Sequence, residues 1–144
     1  FQFVSKRSDD RKKIIKKLVM LCNEQGLDGI DFDWEGVDFA KDRDLLTAYI
    51  QLLIQAKKQF HKHGKIVSVA LHTGQEKYMI DQKMADAVDR FHLMAYDECA
   101  SVPCQHSTLA GITSHLYSLK QVLQRYRATP QKIILGMPAY ARLE

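Results

Sequence analysis

The chain has 144 residues, 46% of them apolar, which is enough to bury the core of one ordinary domain. Only 7 Gly and 3 Pro are present and the apolar runs are short, so collagen-like segments, low-complexity segments and membrane-spanning helices are excluded. A net charge of +4 without a patterned patch does not indicate a nucleic-acid partner, and three cysteines allow one disulfide at most.

Short apolar runs alternate with amphipathic stretches along the chain. Residues 1–4 predict a strand. Ser8 and the two acids after it predict the cap and the acidic first turn of a helix that ends at Gly26. The apolar residues of this helix recur at helical spacing: Ile14, Ile15, Leu18, Val19 and Cys22. Residues 27–34 predict the second strand.

The rest of the chain continues this alternation. The remaining predicted elements are a helix over 42–64, a strand over 65–71, a helix over 78–88, a strand over 91–96, a helix over 112–126 and a strand over 132–137. The helix over 42–64 has its apolar residues on one face: Leu45, Leu46, Tyr49, Ile50, Leu53 and Phe60.

The order of the elements predicts an α/β fold with a parallel sheet covered by helices. The Gly-rich first turn of a dinucleotide-binding fold is absent, and polar residues gather where successive strands end, as in a (β/α)₈ barrel. Because a full barrel needs about 250 residues and eight strands, five candidate strands predict a partial barrel forming one domain over 1–144. The start at Phe1 rather than Met predicts a processed or excised piece.

The most informative segment is the strand over 28–35, DGIDFDWE. Because side chains alternate along a strand, Asp31, Asp33 and Glu35 share one face, and the apolar residues between them share the other. Like charges this close raise the pKa of at least one of the carboxyls. A Glu with a raised pKa beside an ionised Asp is typical of acid catalysis on a glycosidic bond. A calcium loop or a solvated strand face is less favoured, because the acids interleave with Ile, Phe and Trp.

Three collinear motifs resemble glycoside hydrolase family 18, the chitinase family. Residues 28–35 match its DxxDxDxE signature, residues 93–97 (LMAYD) its Met-x-Tyr-Asp, and residues 135–142 (LGMPAYAR) its Gly-x-Pro-x-Tyr-Gly-Arg. The resemblance covers nearly the whole chain and implies barrel strands three to seven with their intervening helices.

The resemblance implies retaining hydrolysis in which the substrate's own acetamide is the nucleophile. Glu35 would protonate the leaving oxygen and later activate water. Asp33 would hold the acetamide N–H, Asp31 would share a proton with Asp33, and Tyr96 would place the acetamide oxygen. Four other residues would contact the sugar: Met94, Asp97, Tyr140 and Arg142.

The resemblance also implies the setting of the reaction. The substrate would be chitin or chitooligosaccharides, no metal and no organic cofactor would be needed, and the full-length protein would be a secreted monomer. Gly36 and Val37 replace the Tyr-Pro of many members, and Ala141 replaces a Gly. Because the first and eighth barrel strands are missing, the 144 residues alone are expected to be inactive and poorly stable.

Two other functions stay open. A chitinase-like lectin would bind sugar without cleaving it, but such proteins commonly lose the acid that matches Glu35. An endo-β-N-acetylglucosaminidase acting on N-glycans would share the fold and the acids.

Several other features favour structural interpretations. The basic run over 11–17 predicts a solvated helix face, and Cys22 a core residue. His92 is interpreted as a packing residue, and His72 as one that could face the cleft. The cluster Cys99, Cys104 and His106 favours a small disulfide over a zinc site, and two free thiols are the third alternative.

Overall fold

The computed structural model describes residues 7–97 and 107–140 of the chain. Helices and strands alternate in the order α1 Ser8–Glu24, β1 Gly29–Phe32, α2 Arg43–Phe60, β2 Ile66–His72, α3 Glu76–Met79, α4 Gln82–Ala87, β3 Arg90–Met94, α5 Leu109–Arg125 and β4 Ile133–Gly136. Short 3₁₀ turns over His61–His63 and Pro130–Lys132 follow α2 and precede β4. The predicted strand over 1–4 lies outside the described residues.

The four described strands form one parallel sheet in the order β1-β2-β3-β4. In its register Asp31 pairs with Ser68, and Ala70 pairs with His92. Parallel strands bring all their carboxyl ends to one edge of the sheet, so the polar residues that follow β1, β2, β3 and β4 meet there. The predicted parallel sheet covered by helices is confirmed.

The two long helices pack as their spacing predicts. Ile15, Val19 and Cys22 of α1 are buried, while Ile14 and Leu18 are partly buried against the core. All six predicted apolar residues of α2 are buried. The lysines of the basic run are exposed, as predicted for a solvated face.

Two predicted helix features are wrong. Ser8 is the first helical residue rather than the cap, because Arg7 takes the cap position without a side-chain hydrogen bond. The helix predicted over 78–88 is two short helices, α3 and α4, since Ile80 is extended with φ −86° and ψ 117°. Asp81 then caps α4, accepting a 2.8 Å hydrogen bond from the Met84 N–H.

The sheet has one core face and one cleft face. Val67, Val69 and Leu71 of β2, with Phe91 and Leu93 of β3, are fully buried under the helices. The alternate residues Ser68, Ala70, His92 and Met94 therefore lie on the opposite face. That second face carries the site described next.

Candidate active site

The carboxyl end of β1 carries a row of three acids, Asp31, Asp33 and Glu35, which is the acidic row. Asp31 lies in the strand, whereas β1 ends at Phe32, so Asp33 and Glu35 lie in the segment beyond it. Phe32 is buried between Asp31 and Asp33, which confirms the alternation of apolar and acidic residues. All three acidic residues are exposed, and the side chain of Glu35 is 63% exposed.

Three packed aromatic side chains support the backbone of the acidic row. Trp34 contacts Phe39 and Tyr49 edge-on at centroid distances of 5.4 and 5.2 Å, and Phe39 stacks on Tyr49 at 5.5 Å. The Tyr49 hydroxyl donates a 3.3 Å hydrogen bond to the Phe32 carbonyl. Burial and the nearby charges of the row raise the Tyr49 pKa above its usual range, so the hydroxyl remains a donor at any working pH.

Asp31 has partners on the next two strands of its sheet, β2 and β3. The Ser68 hydroxyl of β2 donates to Asp31 Oδ1 at 2.5 Å. Nδ1 of His92, on β3, lies 3.1 Å from the same oxygen. The packing interpretation of His92 is therefore wrong, since its ring faces the acidic row and its side chain is 34% exposed.

Glu35 has a histidine neighbour of its own. Nε2 of His72, the last residue of β2, lies 3.5 Å from Glu35 Oε1. The His72 N–H donates to Gln75 Oε1 at 2.9 Å, which fixes the turn after β2. His72 thus faces the cleft, as the sequence allowed.

The pKa of Asp33 is raised above that of an ordinary aspartate. Partial burial is the largest cause, followed by repulsion from Glu35 and Asp31, while His72 acts in the opposite direction. Asp33 therefore holds a proton more readily than an isolated carboxyl. The sequence prediction that clustering raises at least one pKa in the row is confirmed.

A cleft of about 230 Å³ lies beside the row. Asp31 and Asp33 form one wall, and Met94 and Tyr96, which follow along β3 and its end, form another. Met94 is 8% exposed. Gly136 closes the cleft at the end of β4.

The other predicted sugar-binding residues are Asp97, Tyr140 and Arg142. Tyr140 is exposed and its ring meets that of Tyr96, a residue of the cleft, edge-on at a centroid distance of 6.3 Å. Asp97 follows Tyr96 with a positive φ of 56°, a left-handed conformation that turns the chain away from β3. Arg142 and the cluster of Cys99, Cys104 and His106 lie outside the described residues.

Residues 7–97 and 107–140 contain no helix that is both long and apolar enough to cross a lipid bilayer. A larger groove of about 690 Å³ lies between α1 and α2 on the outer surface, lined by Lys12, Lys16, Ile15 and Val19 among others. It contains no pair of acids, so the smaller cleft is the candidate site.

Sequence similarity to known proteins extends along nearly the whole chain. The family model of glycosyl hydrolases family 18 matches residues 1–144. Probable chitinase 2 of Drosophila melanogaster is 26% identical over 145 residues, which cover 92% of this chain and 29% of that protein. Chitotriosidase-1 of Mus musculus is 29% identical over 165 residues, covering 94% of this chain and 34% of that protein. The chain thus spans about a third of the length of these curated relatives.

Solved structures show the same fold. A chitinase from Chromobacterium violaceum superposes with a TM-score of 0.75 at 22% identity, covering 95% of this chain and 43% of that one. The Group IV chitinase of Ostrinia furnacalis superposes with a TM-score of 0.74 at 19% identity, covering 95% of this chain and 42% of that one. The four parallel strands and their helices are accordingly part of a (β/α)₈ barrel, as the sequence predicts.

Proposed function

Because the chain belongs to glycosyl hydrolases family 18, we propose that the protein carrying it hydrolyses chitin and chitooligosaccharides, the β-1,4-linked polymers of N-acetylglucosamine. The observation that carries this proposal is the row of Asp31, Asp33 and Glu35 at the carboxyl end of β1, next to the cleft that contains Tyr96. The names of two relatives, a probable chitinase and a chitotriosidase, support the substrate class.

In the first chemical step, Glu35 acts as the general acid. Its carboxyl proton passes to the glycosidic oxygen while the bond from that oxygen to the sugar's C1 breaks. The carbonyl oxygen of the substrate's own acetamide attacks C1 from the opposite face and gives an oxazolinium intermediate. Glu35 is left as a carboxylate, and its exposed position at the end of the row gives it access to the bound chain.

Asp33 and Tyr96 orient the acetamide during this step. Asp33 accepts a hydrogen bond from the acetamide N–H and stabilises its developing positive charge. The Tyr96 hydroxyl donates to the acetamide oxygen and places it for attack on C1. Asp33 and Tyr96 line one cleft, which supports their acting on one acetamide group.

In the second step, water replaces the acetamide. The Glu35 carboxylate takes a proton from a water molecule as that water attacks C1, and the oxazolinium ring opens. The product keeps its anomeric configuration, since C1 has been attacked twice. Glu35 ends the cycle protonated, and neither a metal nor an organic cofactor takes part.

Asp31 shares a proton with Asp33 before substrate arrives. The raised pKa of Asp33 supports a proton on this pair, and the partners of Asp31 on β2 and β3 hold that carboxylate in place. When the acetamide binds, Asp33 turns toward it and toward Glu35. Met94, Asp97 and Tyr140 contact the sugar next to the cleaved bond, and by its match to the family motif Arg142 does so too.

The test uses the full-length protein that carries this chain and a fluorogenic N,N′-diacetylchitobioside. Glu35→Gln is expected to lower kcat by about 10²–10⁴-fold, because the amide cannot protonate the leaving oxygen. Glu24→Gln, at the exposed end of α1, is the matched control and is expected to retain full activity.

The outcomes separate the proposed hydrolase from its alternatives. Turnover that survives Glu35→Gln would overturn the assignment of the acid. A folded protein that binds chitooligosaccharides without turnover would be a lectin, and one that does neither would next be offered N-glycans. We also propose that the full-length protein is a secreted monomer, since its polymeric substrate lies outside cells, and that residues 1–144 alone are inactive.

A further inference from the structure

His92 reaches the acidic row across an intervening strand. Asp31 lies on β1 and His92 on β3, two strands apart, and adjacent strands are separated by about 4.8 Å. The residue of β2 paired with His92 is Ala70, which lines the same cleft. Because its side chain is a single methyl group, Ala70 leaves room for the imidazole to reach across β2. Nδ1 of His92 thereby lies 3.1 Å from Asp31 Oδ1.

Two groups from different strands meet at this one oxygen. The Ser68 hydroxyl donates to Oδ1 from β2, and the His92 ring lies against Oδ1 from β3. Ser68 is 5% exposed, so its hydroxyl approaches Oδ1 from a buried position in the sheet. With Oδ1 held twice, the rotation of the carboxylate is restricted.

We propose that His92 is a positioning residue of the acidic row: together with Ser68 it fixes Asp31 through Oδ1, so that the other carboxylate oxygen faces Asp33 and accepts its proton. This inference rests on the proposed hydrolase function and adds to it the residue that orients Asp31. His92 acts through Asp31 and does not touch the reacting atoms.

The surroundings of His92 argue against a role in packing alone. On β3, Phe91 and Leu93 are fully buried and form the core, whereas the His92 side chain is 34% exposed on the cleft face. The ring contacts the carboxyl of Asp31, and Asp33 lines the same cleft. Among the described residues that line this cleft, β2 and β4 contribute no charged side chain, and Tyr96 is the remaining titratable group.

The experiment compares three variants of the full-length protein on the fluorogenic chitobioside. His92→Asn keeps an amide N–H close to the position of Nδ1, and His92→Leu removes the donor at similar size. We expect His92→Leu to lower kcat about 10- to 100-fold with little change in KM, because a misplaced catalytic group costs up to about 10²-fold. His92→Asn is expected to recover most of that loss. His63→Leu, on an exposed histidine of the turn after α2, is the matched control.

A double-mutant cycle tests the shared oxygen. Because Ser68 and His92 act on the same Oδ1, the effects of Ser68→Ala and His92→Leu on kcat are expected to be far from multiplicative. Independent, multiplicative effects would overturn the shared positioning of Asp31.

The outcomes also distinguish this inference from the function beneath it. If His92→Leu retains the kcat of the unmodified protein, or if His92→Asn is as slow as His92→Leu, the positioning role is overturned while the hydrolase function stands. If the unmodified protein is folded but turns over no chitooligosaccharide, the proposed function falls, and the inference falls with it. Should His92→Leu fail to fold, the kcat of His92→Asn decides, since a value far below that of the unmodified protein would contradict the rescue.

Discussion

The hydroxyl of Tyr49 in α2 donates a hydrogen bond to the backbone carbonyl of Phe32, the residue between the first two acids of the row. Tyr49 is 1% exposed, so a core helix directly supports the end of β1. The edge-on contact of Trp34 with the same ring supports the backbone between Asp33 and Glu35. The position of the acids is therefore set by the packing of α2 as well as by the sheet.

Tyr49→Phe is expected to weaken both the fold and the reaction. The change removes one donor and leaves the Phe32 carbonyl without that partner, which costs about 1–3 kcal/mol of unfolding free energy. Because the row is then less rigidly placed, kcat on chitobioside is expected to fall several-fold. Urea denaturation and initial rates of the full-length protein check both effects.

Tyr117→Phe is the matched control for that variant. Tyr117 of α5 is 62% exposed, so loss of its hydroxyl is expected to change neither stability nor rate. Equal behaviour of the two variants would contradict the support role of Tyr49.

Gly136→Ala is expected to lower activity more than stability. A Cβ at Gly136 would lie 3.0 Å from Tyr96 Cε1 and 3.1 Å from the Leu93 carbonyl oxygen, so the Tyr96 ring must shift. Since Tyr96 is proposed to place the acetamide, a displacement of a few tenths of an ångström is expected to reduce kcat about 10-fold. Rates and melting temperatures of the full-length variant provide the measurement.

A second glycine gives the opposite expectation. Gly26 has a φ of +65° with open space around its Cα, so Gly26→Ala strains the backbone without touching the cleft. It is expected to cost about 1 kcal/mol of stability and to leave kcat unchanged. If Gly136→Ala instead behaves like Gly26→Ala, the close approach to Tyr96 has no role in the reaction.

The fold could largely be predicted from periodicity. Helical spacing identified the buried faces of α1 and α2, and the alternation of strands and helices identified the parallel sheet. The break at Ile80 could not be predicted from spacing alone, since apolar residues continue through it. It results from the local competition between one longer helix and the side-chain cap that Asp81 gives to α4.

The site could be predicted only in part. The alternation within 28–35 identified Asp31, Asp33 and Glu35, because it depends on neighbouring residues alone. The contact of His92 with Asp31 depends on the register of three strands. That register cannot be derived from a single sequence. One signal was available: His92 shares its strand face with Met94, a residue already assigned to the cleft.

Asp33→Asn is expected to raise stability at neutral pH while lowering activity. The pKa of Asp33 is raised in the folded state above its unfolded value of 3.8, so the folded protein binds more protons in that range. Stability therefore falls as pH rises from 3.8 through the raised pKa, where Asp33 ionises beside Glu35 and Asp31. An asparagine cannot ionise, so its contribution does not change with pH.

Melting temperatures of the full-length protein and of Asp33→Asn between pH 3 and 7 check this expectation. The curves should separate as pH rises, with the variant melting higher at pH 7. A variant that melts lower than the unmodified protein at pH 7, while matching it at pH 3, would show that the ionised Asp33 stabilises the fold.

Asp89 lies at the opposite end of the strands from the acidic row. Its Oδ2 accepts a 2.8 Å hydrogen bond from the Val67 N–H, and its own N–H donates to the Val67 carbonyl at 2.8 Å. Lys57 Nζ lies 3.2 Å from Oδ1, and His61 Nε2 lies 2.9 Å from Oδ2. Burial by itself would raise the pKa of Asp89, but these partners together outweigh burial and lower it.

Asp89→Ala is therefore expected to destabilise the full-length protein without lowering its kcat. A lowered pKa gives a stabilisation that is present above the unfolded value of 3.8 and is lost as pH falls through the lower folded value. At pH 7 the loss should be about 1–3 kcal/mol, because the buried Val67 N–H loses its acceptor. Below pH 3.8 the difference from the unmodified protein should shrink, while kcat at pH 7 stays unchanged because the row is at the other edge of the sheet.

Denaturant titrations at several pH values measure this, with Asp86→Ala as the control. Asp86 is exposed and accepts hydrogen bonds from the Gln82 side chain one turn earlier in α4, so its loss is expected to change stability little. A stability difference for Asp89→Ala that stays constant down to pH 2 would mean that its charge contributes nothing beyond the acceptor. A fall in kcat would mean that the two edges of the sheet are coupled.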